Sequence, residues 1–114
     1  MHGAPSHFEF GVANASRAQS FYSSLLGWTF HPMGSTDEGW IETPGIRGGV
    51  HSNDPAHAIV IYFTVTDLDA AVRRVAELGG QPGTPGAAEP GFGRFVECRD
   101  DQGVRFGLRQ PSDS

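Results

Sequence analysis

The chain has 114 residues and a formal net charge of −5, and its eight basic side chains are all arginines. This length fits one domain with a single core, and the negative charge argues against wholesale binding to nucleic acid or anionic membranes. The single cysteine, Cys98, cannot form an intrachain disulfide. No segment approaches the ~18 consecutive apolar residues of a membrane span, and the N-terminus lacks the features of a signal peptide. We therefore predict a cytoplasmic protein.

The first predicted strand begins at His7 and leads into a helix. Side chains alternate between the two faces of a strand, so Phe8 and Phe10 share one face, while His7 and Glu9 share the other. The apolar face should pack on the helix, and the polar face should look elsewhere. His7 is a candidate for lining a ligand pocket, with a solvated histidine as an equally good interpretation. The Glu9 carboxylate could act as a base or bind a cation, but pairing with an arginine is slightly favoured.

The helix after this strand carries apolar residues at the spacing that forms one stripe along a helix. The residues of this stripe are Ala18, Phe21, Tyr22, Leu25 and Leu26. Asn14 or Ser16 is expected to cap the helix, and Gly27 is expected to end it. Three strand-like segments follow, WTFHPM, GWIET and IRGGVHS, with a turn predicted at Gly34-Ser35 between the first two. The pattern predicts a βαβββ module over about residues 5–52.

The same pattern returns over about residues 57–110, with an offset of 53 that places Phe63 on Phe10. The second helix has its own predicted stripe, a cap at Thr66 or Asp67, and an end at Gly79-Gly80. The residues of this stripe are Leu68, Ala71, Val72, Val75 and Leu78. A weak strand is predicted near Gln81, and GRFVECRD and VRFGLRQ read as the closing strands. Residues 82–93 are the longest irregular segment and are interpreted as a surface loop, with a lid over a binding site as the alternative.

The repeat predicts an α+β fold, a single domain over residues 1–114 made of two tandem βαβββ modules. Each sheet should pack its helix on one side. The remaining sides should curve toward each other and enclose a central cavity, so the repeat itself predicts a pocket between the two modules.

Strand alternation adds four candidate residues to His7 and Glu9 for such a pocket. Trp40 is a candidate stacking wall, and Tyr62 could donate a hydrogen bond to a ligand, with core packing as an equal alternative for each. Arg105 shares a strand face with Gly107 and is a plausible partner for Glu9. His51 is a further candidate, although an exposed position is the more frequent one, and His31 is expected to be solvated.

Three stretches resemble the vicinal oxygen chelate superfamily, the group of glyoxalases, bleomycin-resistance proteins and extradiol dioxygenases. They are HFEFGVANASRAQSFYSSLLGW, YFTVTDLDAAVRRVAELGG and GRFVECRDDQGVRFGL, and together they cover nearly the whole chain. The resemblance implies paired βαβββ modules around a cavity. In the enzymes of this group, histidine or glutamate side chains on the first and last strand of each module hold a divalent metal, which acts as a Lewis acid.

The resemblance also shows which residues would have to bind that metal. The implied positions are His7, Val60, Gly107 and either Gly49 or His51, since the register of the fourth position stays open. Val60 and Gly107 have no donor atom in their side chains. A catalytic divalent site usually needs three protein ligands, so the sequence favours a protein without a metal or other cofactor.

The preferred hypothesis is a metal-free protein that binds an aromatic or polar organic ligand, as bleomycin-resistance members of the group do. The alternative is an enzyme, either a lyase, isomerase or dioxygenase with a divalent metal ion or an acid–base enzyme that uses His7 and Glu9. A third hypothesis is a domain whose cavity has lost its role. Because the group is often dimeric, the resemblance also implies a homodimer.

Overall fold

The computed structural model of the protein describes residues 2–33 and 38–112, so the turn predicted at Gly34-Ser35 lies outside the described residues. The chain divides into two compact units. The N-terminal unit is His7–Val60, and the C-terminal unit comprises residues 2–6 and 61–112. The elements follow the predicted order, except that the strand expected near Gln81 is not formed as a strand. They are β1 (Pro5–Gly11), α1 (Ala15–Leu26), β2 (Thr29–Pro32), β3 (Gly39–Glu42), β4 (Arg47–His51), β5 (Ala58–Thr64), α2 (Leu68–Glu77), β6 (Arg94–Arg99) and β7 (Arg105–Gln110).

The N-terminal unit has the predicted βαβββ order, with its strands arranged β2-β3-β4-β1. β1 runs parallel to β4, while β4 and β3, and β3 and β2, are antiparallel pairs. Glu9 is aligned with Gly49 across the first of these pairs, and Trp40 is aligned with the same glycine from the other side. This register fixes which side chains of the three strands share a face.

The ends of α1 follow local sequence signals, while its packing departs from the prediction. The Asn14 side chain accepts a hydrogen bond from the backbone N–H of Arg17 at 3.0 Å, and Gly27 ends the helix with a φ of 72°. The core of this unit contains Phe8, Phe10, Ala15, Ile41 and Val50, with Ala18 and Tyr22 packed against it. Three residues of the predicted stripe instead lie largely in solvent, with 60%, 64% and 50% of their surface exposed. They are Phe21, Leu25 and Leu26.

The C-terminal unit places β7 between β5, which is parallel to it, and β6, which is antiparallel. Asp67 caps α2 by accepting a hydrogen bond from the N–H of Ala70 at 3.1 Å. The weak strand predicted near Gln81 is reduced to a single bridge with Arg99. The core consists of Val65, Leu68, Val96, Cys98 and Leu108. The prediction that Leu78 belongs to this core is wrong, because its side chain lies in solvent beyond the last residue of α2.

Residues 82–93 form the predicted irregular segment, which is tied to the sheet by its own backbone. The N–H of Gly86 donates to the carbonyl of Phe95 at 3.2 Å, and Glu89 bridges to Gly93. Neither helix in the described part of the chain is both long and apolar enough to cross a membrane. The cavity expected between the predicted modules stays a prediction.

Candidate functional site

The sheet of the N-terminal unit has one face that packs on α1 and a second that we call the open face. Phe8 and Phe10 point to the α1 side, where they join the core. The residues between them on β1 and their partners on β4 and β3 point the other way. The open face therefore carries His7 and Glu9 from β1, His51 from β4 and Trp40 from β3.

Four side chains on this face form a continuous line of hydrogen bonds, which we call the Glu9–His51 cluster: His7, Glu9, His51 and Asp54. Nε2 of His7 lies 3.2 Å from Oε1 of Glu9, and Nδ1 of His51 lies 3.0 Å from Oε2 of the same carboxylate. On the other side of the His51 ring, Nε2 lies 2.8 Å from Oδ2 of Asp54. An ionised carboxylate only accepts hydrogen bonds. Both bonds of His51 therefore form together only when its imidazole is doubly protonated.

The surroundings of His51 favour that protonated form. Partial burial lowers the pKa of His51, but the hydrogen bonds and negative charges of Glu9 and Asp54 outweigh it, so the pKa lies above its ordinary value of 6.5. The side chain is 41% exposed, so this imidazolium is also accessible to a solute.

The stability of the protein should therefore depend on pH through His51. Because its pKa is raised in the folded state, protonated His51 stabilises the fold below about pH 6.5, and this contribution is lost as the pH rises through the folded-state pKa. The free energy of unfolding should fall over that interval, and Asp54→Asn should make the fall shallower. Urea unfolding at a series of pH values measures this pH dependence of the free energy of unfolding. Asp101→Asn is the control, because Asp101 is an exposed aspartate. Equal slopes for the native protein and Asp54→Asn would contradict the role of Asp54.

Asp54 is not among the candidate residues predicted from the sequence, and backbone contacts bring it to the cluster. Its N–H donates to the carbonyl of Val12 at 3.0 Å, so the chain after β4 folds back along the end of β1. Gly11 makes this close approach possible, because a Cβ atom there would occupy the place of the Asp54 carboxylate. The only local sign of this contact in the sequence is that the aspartate follows the candidate histidine by three residues.

Trp40 lies on the open face beside the cluster, in a stack formed by the protein's own side chains. The His31 ring lies 4.0 Å from it at an angle of 13°, and the guanidinium carbon of Arg47 lies 4.4 Å from its centroid. Nε2 of His31 is also 2.8 Å from Oε1 of Glu42. The His31 side chain is 37% exposed, as expected of a solvated histidine, and it also has these two partners. Trp40 is a wall of the face, but His31 and Arg47 already contact its ring.

Tyr62 and Arg105 lie together in the C-terminal unit, on the sheet face away from α2. The Tyr62 ring covers Gly107 and meets the Phe95 ring edge-on, with 5.6 Å between centroids. The Arg105 guanidinium donates two hydrogen bonds of 2.9 Å to Glu97. Arg105 thus has a carboxylate partner in its own unit, and its pairing with Glu9 stays a prediction. The alternation of side chains along a strand predicts which face of the sheet a charged residue occupies. It does not predict which of several opposite charges lies nearest to it.

The strand register resolves the open fourth metal position. In both units the first strand runs parallel to the last, and a glycine on the last strand faces a central residue of the first: Gly49 faces Glu9, and Gly107 faces Tyr62. Gly49 is therefore the counterpart of Gly107. With Val60, three of the four implied positions lack a donor atom. Within residues 2–33 and 38–112, no group of three or more His, Cys, Asp or Glu side chains is arranged to hold a metal ion. The residues do not fit the family's divalent metal.

Comparison with known proteins agrees with this architecture. The family model described as Glyoxalase/Bleomycin resistance protein/Dioxygenase superfamily matches residues 4–108. Two mycobacterial proteins named "Putative glyoxylase CFP32", from Mycobacterium bovis and Mycobacterium tuberculosis, are 31% identical over 108 residues. The match covers 83% of this chain but only 39% of those relatives.

Two solved structures share the fold at low sequence identity. Methylmalonyl-CoA epimerase from Mycobacterium tuberculosis has a TM-score of 0.67 and 21% identity, with 96% of this chain and 88% of that chain covered. A hypothetical protein, BH1468 from Bacillus halodurans, has a TM-score of 0.75 and 14% identity, with 98% and 96% covered. At these identities the likeness concerns the fold alone. The family match over almost the full length, together with the paired βαβ architecture, shows that this chain belongs to the glyoxalase/bleomycin resistance protein/dioxygenase superfamily.

Proposed function

We propose that the protein binds a small organic molecule without a metal ion, with the Glu9–His51 cluster as the polar anchor of the site. One observation carries the proposal. The Glu9 carboxylate is held between two imidazoles on a sheet face away from the helix, and it is still 26% exposed. Polar groups fixed in advance lose little conformational freedom when a ligand arrives, which favours binding.

The charges of the cluster indicate what kind of ligand would fit. Two carboxylates, Glu9 and Asp54, surround one imidazolium, so the cluster is negative overall when His51 is protonated. Carboxylate oxygens have lone pairs beyond those used by the histidines. We therefore expect a ligand with N–H groups, such as an amine or an amide, directed at the carboxylates.

The stack beside the cluster supplies a flat surface for the rest of the ligand. Gly49 lies between Glu9 and Trp40 in the strand register and adds no side chain of its own. A planar aromatic group with polar substituents would contact the edge of the Trp40 stack while its donors face Glu9. Tyr62 and Arg105, which lie in the C-terminal unit, are proposed as ligand contacts separate from this cluster.

The best test replaces Glu9 by glutamine, which keeps the shape and removes the charge. Thermal shift screening of amine-bearing and amide-bearing aromatic compounds should find ligands that stabilise the native protein. Calorimetry should then show these ligands binding to Glu9→Gln about tenfold more weakly, in the range of a charged hydrogen bond.

Glu77→Gln is the control, because Glu77 is an exposed carboxylate on α2 whose partner is Arg74, and it belongs to neither the cluster nor the Trp40 stack. Its ligand affinity should match that of the native protein. An equal loss in both variants, or a screen without any stabilising compound, would contradict the proposed site. Stoichiometric metal in the purified protein that disappears in His7→Ala would contradict binding without a metal.

The same line of hydrogen bonds favours one rival function, an acid–base isomerase or lyase. A carboxylate, an imidazole and a second carboxylate in series could pass a proton between Glu9 and Asp54. We rank it second because these contacts show Glu9 held in place by two histidines, whereas they do not identify a substrate proton for it to remove. Exchange of carbon-bound protons of carbonyl compounds in D2O, abolished by Glu9→Gln, would favour the enzyme.

We further propose that the protein is a homodimer in the cytoplasm. The exposed apolar side chains of α1 support association, since a cluster of large apolar groups in solvent is often an interface. Sedimentation equilibrium measures the mass, and a monomer throughout the concentration range would contradict the dimer.

A further inference from the structure

The C-terminal unit carries a second cluster with a different chemistry, which we call the Arg109 site: Tyr62, Phe95 and Arg109. Leu108 joins the core beneath α2, and the Gln110 side chain accepts a hydrogen bond from the N–H of Leu68 at 2.8 Å. Arg109 lies between these two residues on β7, so its side chain points to the opposite face of the sheet.

Arg109 differs from three other arginines of its unit, which are paired with carboxylates. Arg94 bonds to Asp69, Arg105 to Glu97 and Arg74 to Glu77. Nε of Arg109 donates to the carbonyl of Phe92 at 3.0 Å, and within residues 2–33 and 38–112 no carboxylate lies within ion-pair distance of its guanidinium.

Arg109 is also partly buried, which makes the absence of an acidic partner costly. A charge that is partly removed from water is stabilised by a counter-charge. Because the bond to Phe92 uses Nε, the two terminal nitrogens of the guanidinium are left to donate. Their parallel N–H groups match the two oxygens of a carboxylate.

One aromatic ring lies beside this cation, and a second ring packs against the first. The guanidinium carbon of Arg109 lies 5.9 Å from the centroid of the Phe95 ring, which faces Arg109 directly across the β6–β7 pair. The Tyr62 ring stands perpendicular to Phe95 at 5.6 Å and covers Gly107 on the same face. This face of the unit therefore offers one charged contact at Arg109 and an apolar surface made by Phe95 and Tyr62.

We propose that the Arg109 site binds an aromatic carboxylate, with the carboxylate on the terminal guanidinium nitrogens and the ring against Phe95 and Tyr62. This site rests on contacts inside the C-terminal unit and does not depend on the function proposed for the Glu9–His51 cluster.

Benzoate is the probe. Its binding is measured by calorimetry and by the amide chemical shifts of the full-length protein. Benzoate should bind saturably at millimolar concentration and shift the amides of Gly107 and Phe95. Benzyl alcohol, which has the ring without the charge, should bind at least tenfold more weakly. Absence of saturable benzoate binding, or shifts confined to the N-terminal unit, would overturn the proposal.

Arg109→Gln should weaken benzoate binding at least tenfold. Arg99→Gln is the control, because Arg99 lies on the same sheet face, is exposed and bonds to the Gly103 carbonyl, and it should bind within twofold of the native protein. Equal losses in the two variants would overturn the assignment to Arg109. Arg109→Lys, which keeps the charge and loses the paired N–H groups, should fall between the native protein and Arg109→Gln, and it serves if the glutamine variant does not fold. Glu9→Gln should bind benzoate normally, so the two proposed sites can fail separately.

Discussion

Leu68→Ala should lower the free energy of unfolding by about 2–5 kcal/mol, the range for removing a buried leucine side chain from a packed core. Leu68 is the first residue of α2 and is completely buried, in contact with the core formed by α2, β6 and β7. Since a domain of this size is stable by only about 5–15 kcal/mol, the variant should be severely weakened. Urea unfolding followed by circular dichroism gives the value.

Leu78→Ala is the matched control, because it removes the same atoms from the residue directly after the last residue of the same helix. Leu78 is 62% exposed, so the change should stay within about 0.5 kcal/mol. The pair also tests the apolar stripe predicted from the sequence, which assigned both leucines to the core. Similar losses in the two variants would mean that Leu78 is buried after all.

Gly48→Ala and Gly49→Ala should have different effects, although the two residues are neighbours on β4. The first should destabilise the fold, and the second should mainly disturb the site. A Cβ atom at Gly48 would enter the ring of Phe8, a core residue without room to move. We expect Gly48→Ala to cost about 1–3 kcal/mol, the usual effect of overpacking a core. Urea unfolding measures this loss, and an unchanged free energy would contradict the tight contact.

Gly49→Ala should disturb the site while it spares the fold. A Cβ atom there would meet the carboxylate of Glu9, which is the end of a flexible side chain and can rotate away. The loss of stability should stay below about 1 kcal/mol, as for most changes outside a core. Rotation of Glu9 would break its bond to His51, so the pKa of His51 should fall toward its ordinary value. Titration of the His51 ring by NMR checks this, and an unchanged pKa would show that Glu9 stays in place.

The two glycines lie on opposite sides of β4, and each side has its own role. The side of β4 that faces α1 holds the core together through Gly48 and Val50, and the other side presents Gly49 and His51. The C-terminal unit repeats the backbone arrangement with other side chains, since Tyr62 covers Gly107 where Glu9 covers Gly49. The same architecture thus presents an acidic, histidine-rich face in one unit and an arginine–aromatic face in the other.

The sequence by itself determined the order of the helices and strands, apart from the strand expected near Gln81, and the face of each strand residue. The stop at Gly27 and the two repeats of strand and helix were predicted, and each cap was narrowed to two residues, of which the structure uses Asn14 and Asp67. These features depend on residues a few positions apart. Alternation likewise assigned Phe8 and Phe10 to the core side of β1. The repeat of two residues in a strand and of 3.6 residues in a helix is a property of the local sequence. It therefore predicts the face of a residue whichever fold contains that strand or helix.

Only the tertiary structure decided which of these groups meet. The sequence could not show that Asp54 joins His51, that Glu9 lies between two histidines, or that Arg105 chooses Glu97. Nor could it show that the packed surface of α1 leaves Leu25 and Leu26 in solvent. Each of these outcomes depends on strand register and on how far a sheet extends beneath its helix, which are set by contacts between residues distant in the chain.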